Sequence, residues 1–139
     1  DSLESQIAHA MFSIPAVKGV EFGAGFGFAA KKGSEANDAF TTDGEKVYSE
    51  TNYSGGINGG ISNGMPIIVR TGIKPTPTIG MAQDTINFKT MENTEIKGKG
   101  RHDPAIIHRA RAVVDAVTAI TVADMLTQRY GTDYLSEKE

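Results

Sequence analysis

A chain of 139 residues has room for one compact domain, and a makeup of 39% hydrophobic and 22% charged residues is that of an ordinary globular protein. Its net charge of −3 supplies no global field to attract nucleic acid or an anionic membrane. Cysteine is absent, which excludes disulfides, thiol nucleophiles and thiolate metal sites and is compatible with a cytoplasmic location.

Asp1 to Ala10 are polar and amphipathic, unlike the apolar core of a secretory signal. The chain opens without methionine inside what reads as a helix, an opening that fits a piece of a longer protein. Leu3, Ile7, Ala8 and Met11 recur at helical spacing, which predicts a helix over residues 2–12, stopped by Pro15. A strand is predicted over Val17–Phe22. Glycines 23, 25 and 27 follow, then a short helical turn at Phe28–Lys32 and a polar loop over 33–44. A strand at Lys46–Thr51 leads into a second glycine-rich loop at 55–64, and the β-branched run in 66–73 predicts a buried strand. Strands at Thr85–Lys89 and Thr94–Lys97 are expected to meet across a turn at Met91–Asn93. The last element, residues 109–130, carries Val113, Val117 and Ile120 on one face with Val114 and Met125 beside them. Apolar residues on nearly all its sides predict a helix buried between layers, and Gly131 is its expected stop. Asp115 and Asp124 interrupt its apolar stretch and argue against a membrane span. A helix, several strands and a long helix make an α+β domain over residues 1–139.

Four segments carry possible chemistry. Gly23, Gly25 and Gly27 sit where a dinucleotide fingerprint would lie, but the third glycine of GxGxxG falls on Phe28 and no βαβ unit follows. Gly55, Gly56, Gly59, Gly60 and Gly64 imply unusual dihedrals or close approach, either to a ligand or within a wide hairpin loop. Lys74, Pro75, Thr76, Pro77 and Thr78 form a stiff extended segment whose ammonium and hydroxyls suit a phosphate, or else an exposed turn. Around RHDP at 101–104, Lys97, Lys99, Arg101, Arg109 and Arg111 face Asp103 alone, a basic island that suits a small polyanion or else a solvated face. Arg101 and Asp103, two apart, are expected on one side and His102 on the other. His9 reads as a helix-face residue and His108 as a cap or surface residue, and no histidine pair has metal-ligand spacing.

Five stretches in order resemble the chorismate synthase family: SIPAVKGVEFG at 13–23, GSEANDAF at 33–40, GGINGGISNGMPI at 55–67, KPTPTIG at 74–80 and GRHDP at 100–104. The resemblance implies a partial β-α-β sandwich, helices packed with antiparallel sheet, and a C-terminal part of the family's domain with its N-terminal part missing. It implies a carbon–oxygen lyase that uses reduced FMN to convert 5-enolpyruvylshikimate 3-phosphate to chorismate, in a cytoplasmic homotetramer, with no nucleic-acid or membrane partner. It places Pro15, Ala16 and Gly59 against the flavin, and Lys74, Pro75, Thr76, Pro77 and Thr78 at its ribityl phosphate side. It implies that Arg101 is shared between flavin and substrate phosphate, and that Asp103 is the acidic residue near the flavin's central-ring nitrogen. The family's two catalytic histidines and most of its phosphate-binding arginines lie upstream of the matching region, and His9, His102 and His108 do not replace them. The same resemblance leaves a second expectation open, a folding and assembly module without ligand affinity of its own. Pro15, Ala105, His108 and Asp115 stand where the family more often has asparagine, cysteine, proline and glutamate.

Overall fold

The computed structural model describes residues 1–135. Helix α1, Leu3–Phe12, starts where the Ser2 hydroxyl accepts the Ser5 N–H at 3.1 Å and the Ser5 hydroxyl donates to the Ser2 carbonyl at 2.9 Å. It ends where the Ser13 hydroxyl donates back to the Ala10 carbonyl at 2.6 Å, just before Pro15. Leu3, Ile7 and Met11 fall on one stripe and are buried, Ile7 and Met11 completely. Together with Ile14, Val17 and Ile57 they form the core.

Strand β1, Val17–Phe22, lies where the sequence predicts it. The next helical turn is a 3-10 segment at Gly25–Ala30, slightly earlier than expected. The polar stretch 33–44 holds more order than its composition suggests: a one-turn helix α2 at Gly33–Ala36 and strand β2 at Phe40–Thr42, paired antiparallel with β3 at Val47–Ser49. Two-residue strands β4 (Ile57–Asn58) and β5 (Ile61–Ser62) form a hairpin inside the second glycine loop. β6, Val69–Ile73, pairs antiparallel with β1, with an irregularity between Val17 and Gly19. β7 (Ala82–Asn87) and β8 (Glu92–Lys97) make the longest hairpin, its turn over residues 88–91 rather than 91–93.

Helix α3, Ile107–Tyr130, ends as expected at Gly131, whose φ is +88° and whose N–H reaches the Thr127 carbonyl at 2.8 Å. It contacts α1 and packs Val114, Val117, Val122 and Met125 against the core. None of its described residues is fully buried, and Ile120 remains 68% exposed. The expected burial on nearly all sides therefore does not occur within this chain, because α1 covers only one face. The architecture of the described residues is α+β, four two-stranded antiparallel sheets with α1 packed on β1 and on α3, and no closed barrel. Among the described residues no helix is long and apolar enough to cross a membrane.

Candidate functional site

A polar cavity of about 550 Å³ forms where the proline-stiffened segment meets the arginine-rich one. Thr76 and Thr78 line one side, and Arg101, His102, Asp103 and Arg109 the other. The segment after β8 is irregular rather than extended strand, yet both Arg101 and Asp103 reach this cavity. His102 lines it as well, so the expected strict alternation of faces fails for want of a strand to impose it. Arg109, on the first turn of α3, forms an ion pair with Asp103 through Nη2 and Oδ2. That pair is exposed and adds little stability, so its main effect is to orient the carboxylate.

Thr76 and Arg101 bring donors to the cavity that are unpaired among the described residues. Thr76 Oγ1 is buried with no hydrogen bond among the described residues. Such an orphan costs about 1–3 kcal/mol. Arg101 has no ion-pair partner among the described residues, whereas Arg109 and Arg111 are neutralised by Asp103 and Asp115. A buried hydroxyl and a guanidinium left unpaired in one cavity form a donor set suited to an anion's oxygens.

The other resemblance-derived positions do not line this cavity. The Lys74 N–H donates to the Ala16 carbonyl at 2.7 Å, which ties the proline segment to the turn after α1. Ala16 itself has φ +71°, an uncommon conformation for a residue with a Cβ. Gly59, at φ +57°, has open space where a side chain would point. Its neighbour Gly60 does not: a Cβ there would lie 2.4 Å from the Ser2 Cβ, and its carbonyl accepts the Leu3 N–H at 2.9 Å. Pro15, Pro75 and Pro77 supply backbone shape only. His9 and His108 are both exposed.

The structure also explains most of the second glycine loop internally. A Cβ on Gly23 would meet the Tyr53 carbonyl oxygen at 1.9 Å, one on Gly55 the Gly23 nitrogen at 2.4 Å, and one on Gly56 the Pro66 carbonyl oxygen at 2.5 Å. These glycines allow three stretches of backbone to touch. Asp38 organises the same region, a role its sequence context did not reveal. Its carboxylate accepts the Thr51 hydroxyl at 2.7 Å and the N–H groups of Tyr53 at 2.7 Å and Ser54 at 2.8 Å. Partial burial pushes the Asp38 carboxyl up, but these hydrogen bonds outweigh it and hold the group below the ordinary carboxylate value. At the end of β1, Glu21 pairs with Arg70 on β6 at 2.7 Å and accepts the Phe26 N–H at 3.0 Å. The Arg70 hydrogen bond, followed by that of Phe26, lowers the Glu21 carboxyl.

Fold and cavity together describe an α+β domain with a polar, guanidinium-bearing site between loops. The chorismate synthase family model matches residues 1–127, and the chain belongs to that family. It is 50% identical over 125 residues to chorismate synthase of Dehalococcoides mccartyi, covering 90% of this chain and 34% of that protein. It is 52% identical over 127 residues to that of Methanocaldococcus jannaschii, covering 91% and 34% respectively. A crystal structure of a chorismate synthase superposes with a TM-score of 0.74 at 34% identity, covering 98% of this chain and 33% of that one. The chain thus spans about a third of the length of the relatives it matches.

Proposed function

We propose that this chain carries the part of a chorismate synthase that contacts the flavin and the substrate phosphate. The reaction is the trans 1,4-elimination of phosphate from 5-enolpyruvylshikimate 3-phosphate, giving chorismate in the shikimate pathway toward aromatic amino acids. The observation that carries the reading is the meeting of Thr76 and Thr78 with Arg101 and Asp103 at one cavity. The buried, unpartnered Thr76 hydroxyl fits a ligand oxygen there, since an acceptor would remove its desolvation cost.

Reduced FMN, when bound, would lend electron density to the substrate as phosphate leaves and take it back, so that there is no net oxidation. Thr76, Thr78 and Lys74 would hold its phosphate side, with Pro75 and Pro77 keeping that segment ordered in advance. The Pro15–Ala16 turn and Gly59 would offer bare backbone to its ring. Arg101 would neutralise charge on flavin and substrate phosphate together. Asp103, with Oδ2 engaged by Arg109, has Oδ1 left to hold or pass the ring proton. The complete enzyme is proposed to work as a cytoplasmic homotetramer.

A second reading is favoured by the exposed Ile107, Val113 and Ile120 of α3 and by sheets of only two strands. In it, this chain supplies scaffold and assembly contacts and has no ligand affinity alone. Anaerobic titration with reduced FMN separates the two. The first reading expects saturable binding that Arg101→Ala weakens at least about tenfold, the scale of one lost charge-assisted contact. Unchanged affinity in Arg101→Ala overturns the assigned site, and no flavin signal from the parent chain supports the scaffold reading.

A further inference from the structure

Gly80 and Gly98 stand on the two legs of the β7–β8 hairpin at its base, and neither has the left-handed backbone that requires glycine. What they share is a neighbour. A Cβ on Gly98 would lie 3.0 Å from His102 Cε1 and 3.5 Å from its Nε2, and one on Gly80 would lie 3.7 Å from His102 Cδ2. The imidazole therefore rests on both legs, in a seat that the missing side chains leave open. Its backbone neighbours on either side are Arg101 and Asp103, and the ring lines the same cavity. No hydrogen bond or ion pair holds the ring among the described residues, so its hold is packing.

We propose that His102 is a positioning residue of this site: its ring, seated on Gly80 and Gly98, fixes the directions in which Arg101 and Asp103 enter the cavity. The contact also joins the proline-stiffened segment, which ends at Gly80, to the arginine segment that follows β8. Apart from the Arg109 ion pair to Asp103, the segment 98–104 has no hydrogen bond, ion pair or regular structure among the described residues. The role depends on ring shape rather than on a proton, so phenylalanine is a competent substitute. The functional part of this inference rests on the flavin-and-phosphate reading of the cavity.

The test uses this chain with His102→Ala, His102→Phe, Gly98→Ala and the Gly98→Ala/His102→Ala double variant. His102 lies outside the core cluster, and thermal unfolding is used to check that each variant is folded. Without ligand, NMR should show ring-proton contacts to Gly98 in the parent chain. The amide signals of residues 101–103 should shift and lose order in His102→Ala and Gly98→Ala, and recover in His102→Phe. With reduced FMN as probe, affinity should fall about tenfold in His102→Ala and Gly98→Ala and less than about twofold in His102→Phe, since misplacement near 1 Å is costly for a convergent site. The double variant should bind about as weakly as His102→Ala, because the tightest contact of a Gly98 Cβ is with the ring, at 3.0 Å, against 3.3 Å to the Ile79 carbonyl oxygen. The proposal is overturned if His102→Phe behaves like His102→Ala, or if the amides of 101–103 ignore both single substitutions. If the parent chain binds no flavin while the ring-dependent ordering is observed, the scaffold reading of this chain gains support and the positioning by His102 stands.

Discussion

Gly23→Ala is the substitution whose cost follows most directly from the coordinates. Gly23 has φ +54°, where an alanine costs about 1–2 kcal/mol. Its new Cβ would lie 1.9 Å from the Tyr53 carbonyl oxygen, 2.5 Å from the Gly55 nitrogen and 2.8 Å from the Ser54 carbonyl carbon. All three are backbone atoms, so no side chain can swing away. Restoring ordinary contact requires the end of β1 and the loop after β3 to part by about 1.5 Å. That breaks the Ala24 N–H bond to the Tyr53 carbonyl, now 2.7 Å, and strains that of Gly23 to Ile68, now 3.0 Å. Each hydrogen bond contributes about 1 kcal/mol net, so the total loss is about 2–4 kcal/mol, a large share of a small domain's stability. Gly64→Ala is the matched control, since Gly64 has φ +88° with open space at its Cβ position. Urea unfolding followed by circular dichroism should give Gly23→Ala a midpoint far below that of Gly64→Ala at equal slope. A difference under about 1 kcal/mol would refute the claim that backbone contact, rather than turn conformation, requires this glycine.

Two further substitutions probe the site and its support. Asp38→Asn turns one acceptor oxygen into a donor facing an N–H, and should cost about 1–3 kcal/mol at neutral pH by urea unfolding. Because the folded-state carboxyl of Asp38 is lowered from 3.8, its contribution is fully present above that value and is lost as pH falls through the lower folded-state value. The gap between parent and Asp38→Asn should therefore shrink on acidification, and a constant gap would contradict the assignment. Thr76→Val removes the buried orphan hydroxyl, so the ligand-free chain should be as stable or more stable while reduced-FMN affinity falls several-fold. A destabilised Thr76→Val with unchanged flavin affinity would show that the hydroxyl has an internal partner instead.

Much of this molecule is legible along the chain because local periodicity carries it. The spacing of Leu3, Ile7 and Met11 sets the buried stripe of α1, Val17–Phe22 is a strand, and Gly131 ends α3. The motifs KPTPT and RHDP were also readable as candidate anion segments, since stiffness and charge are properties of composition. Their meeting at one cavity was not readable, because it depends on how the β7–β8 hairpin folds back between them. Nor was the reason for Gly23, Gly55 and Gly56, whose partners lie up to tens of residues away on other stretches of backbone. Asp38 looked like one more polar loop residue until its carboxylate met Thr51, Tyr53 and Ser54. Strand-like alternation puts His102 opposite Arg101 and Asp103, but the irregular backbone after Lys97 does not obey it. The apolar faces of α3 promised full burial, but whether a face is covered depends on the elements beside it. Sequence alone determined which segments order themselves and which bear charge; contacts between distant segments, which only the tertiary structure supplies, decided which of those residues share a site.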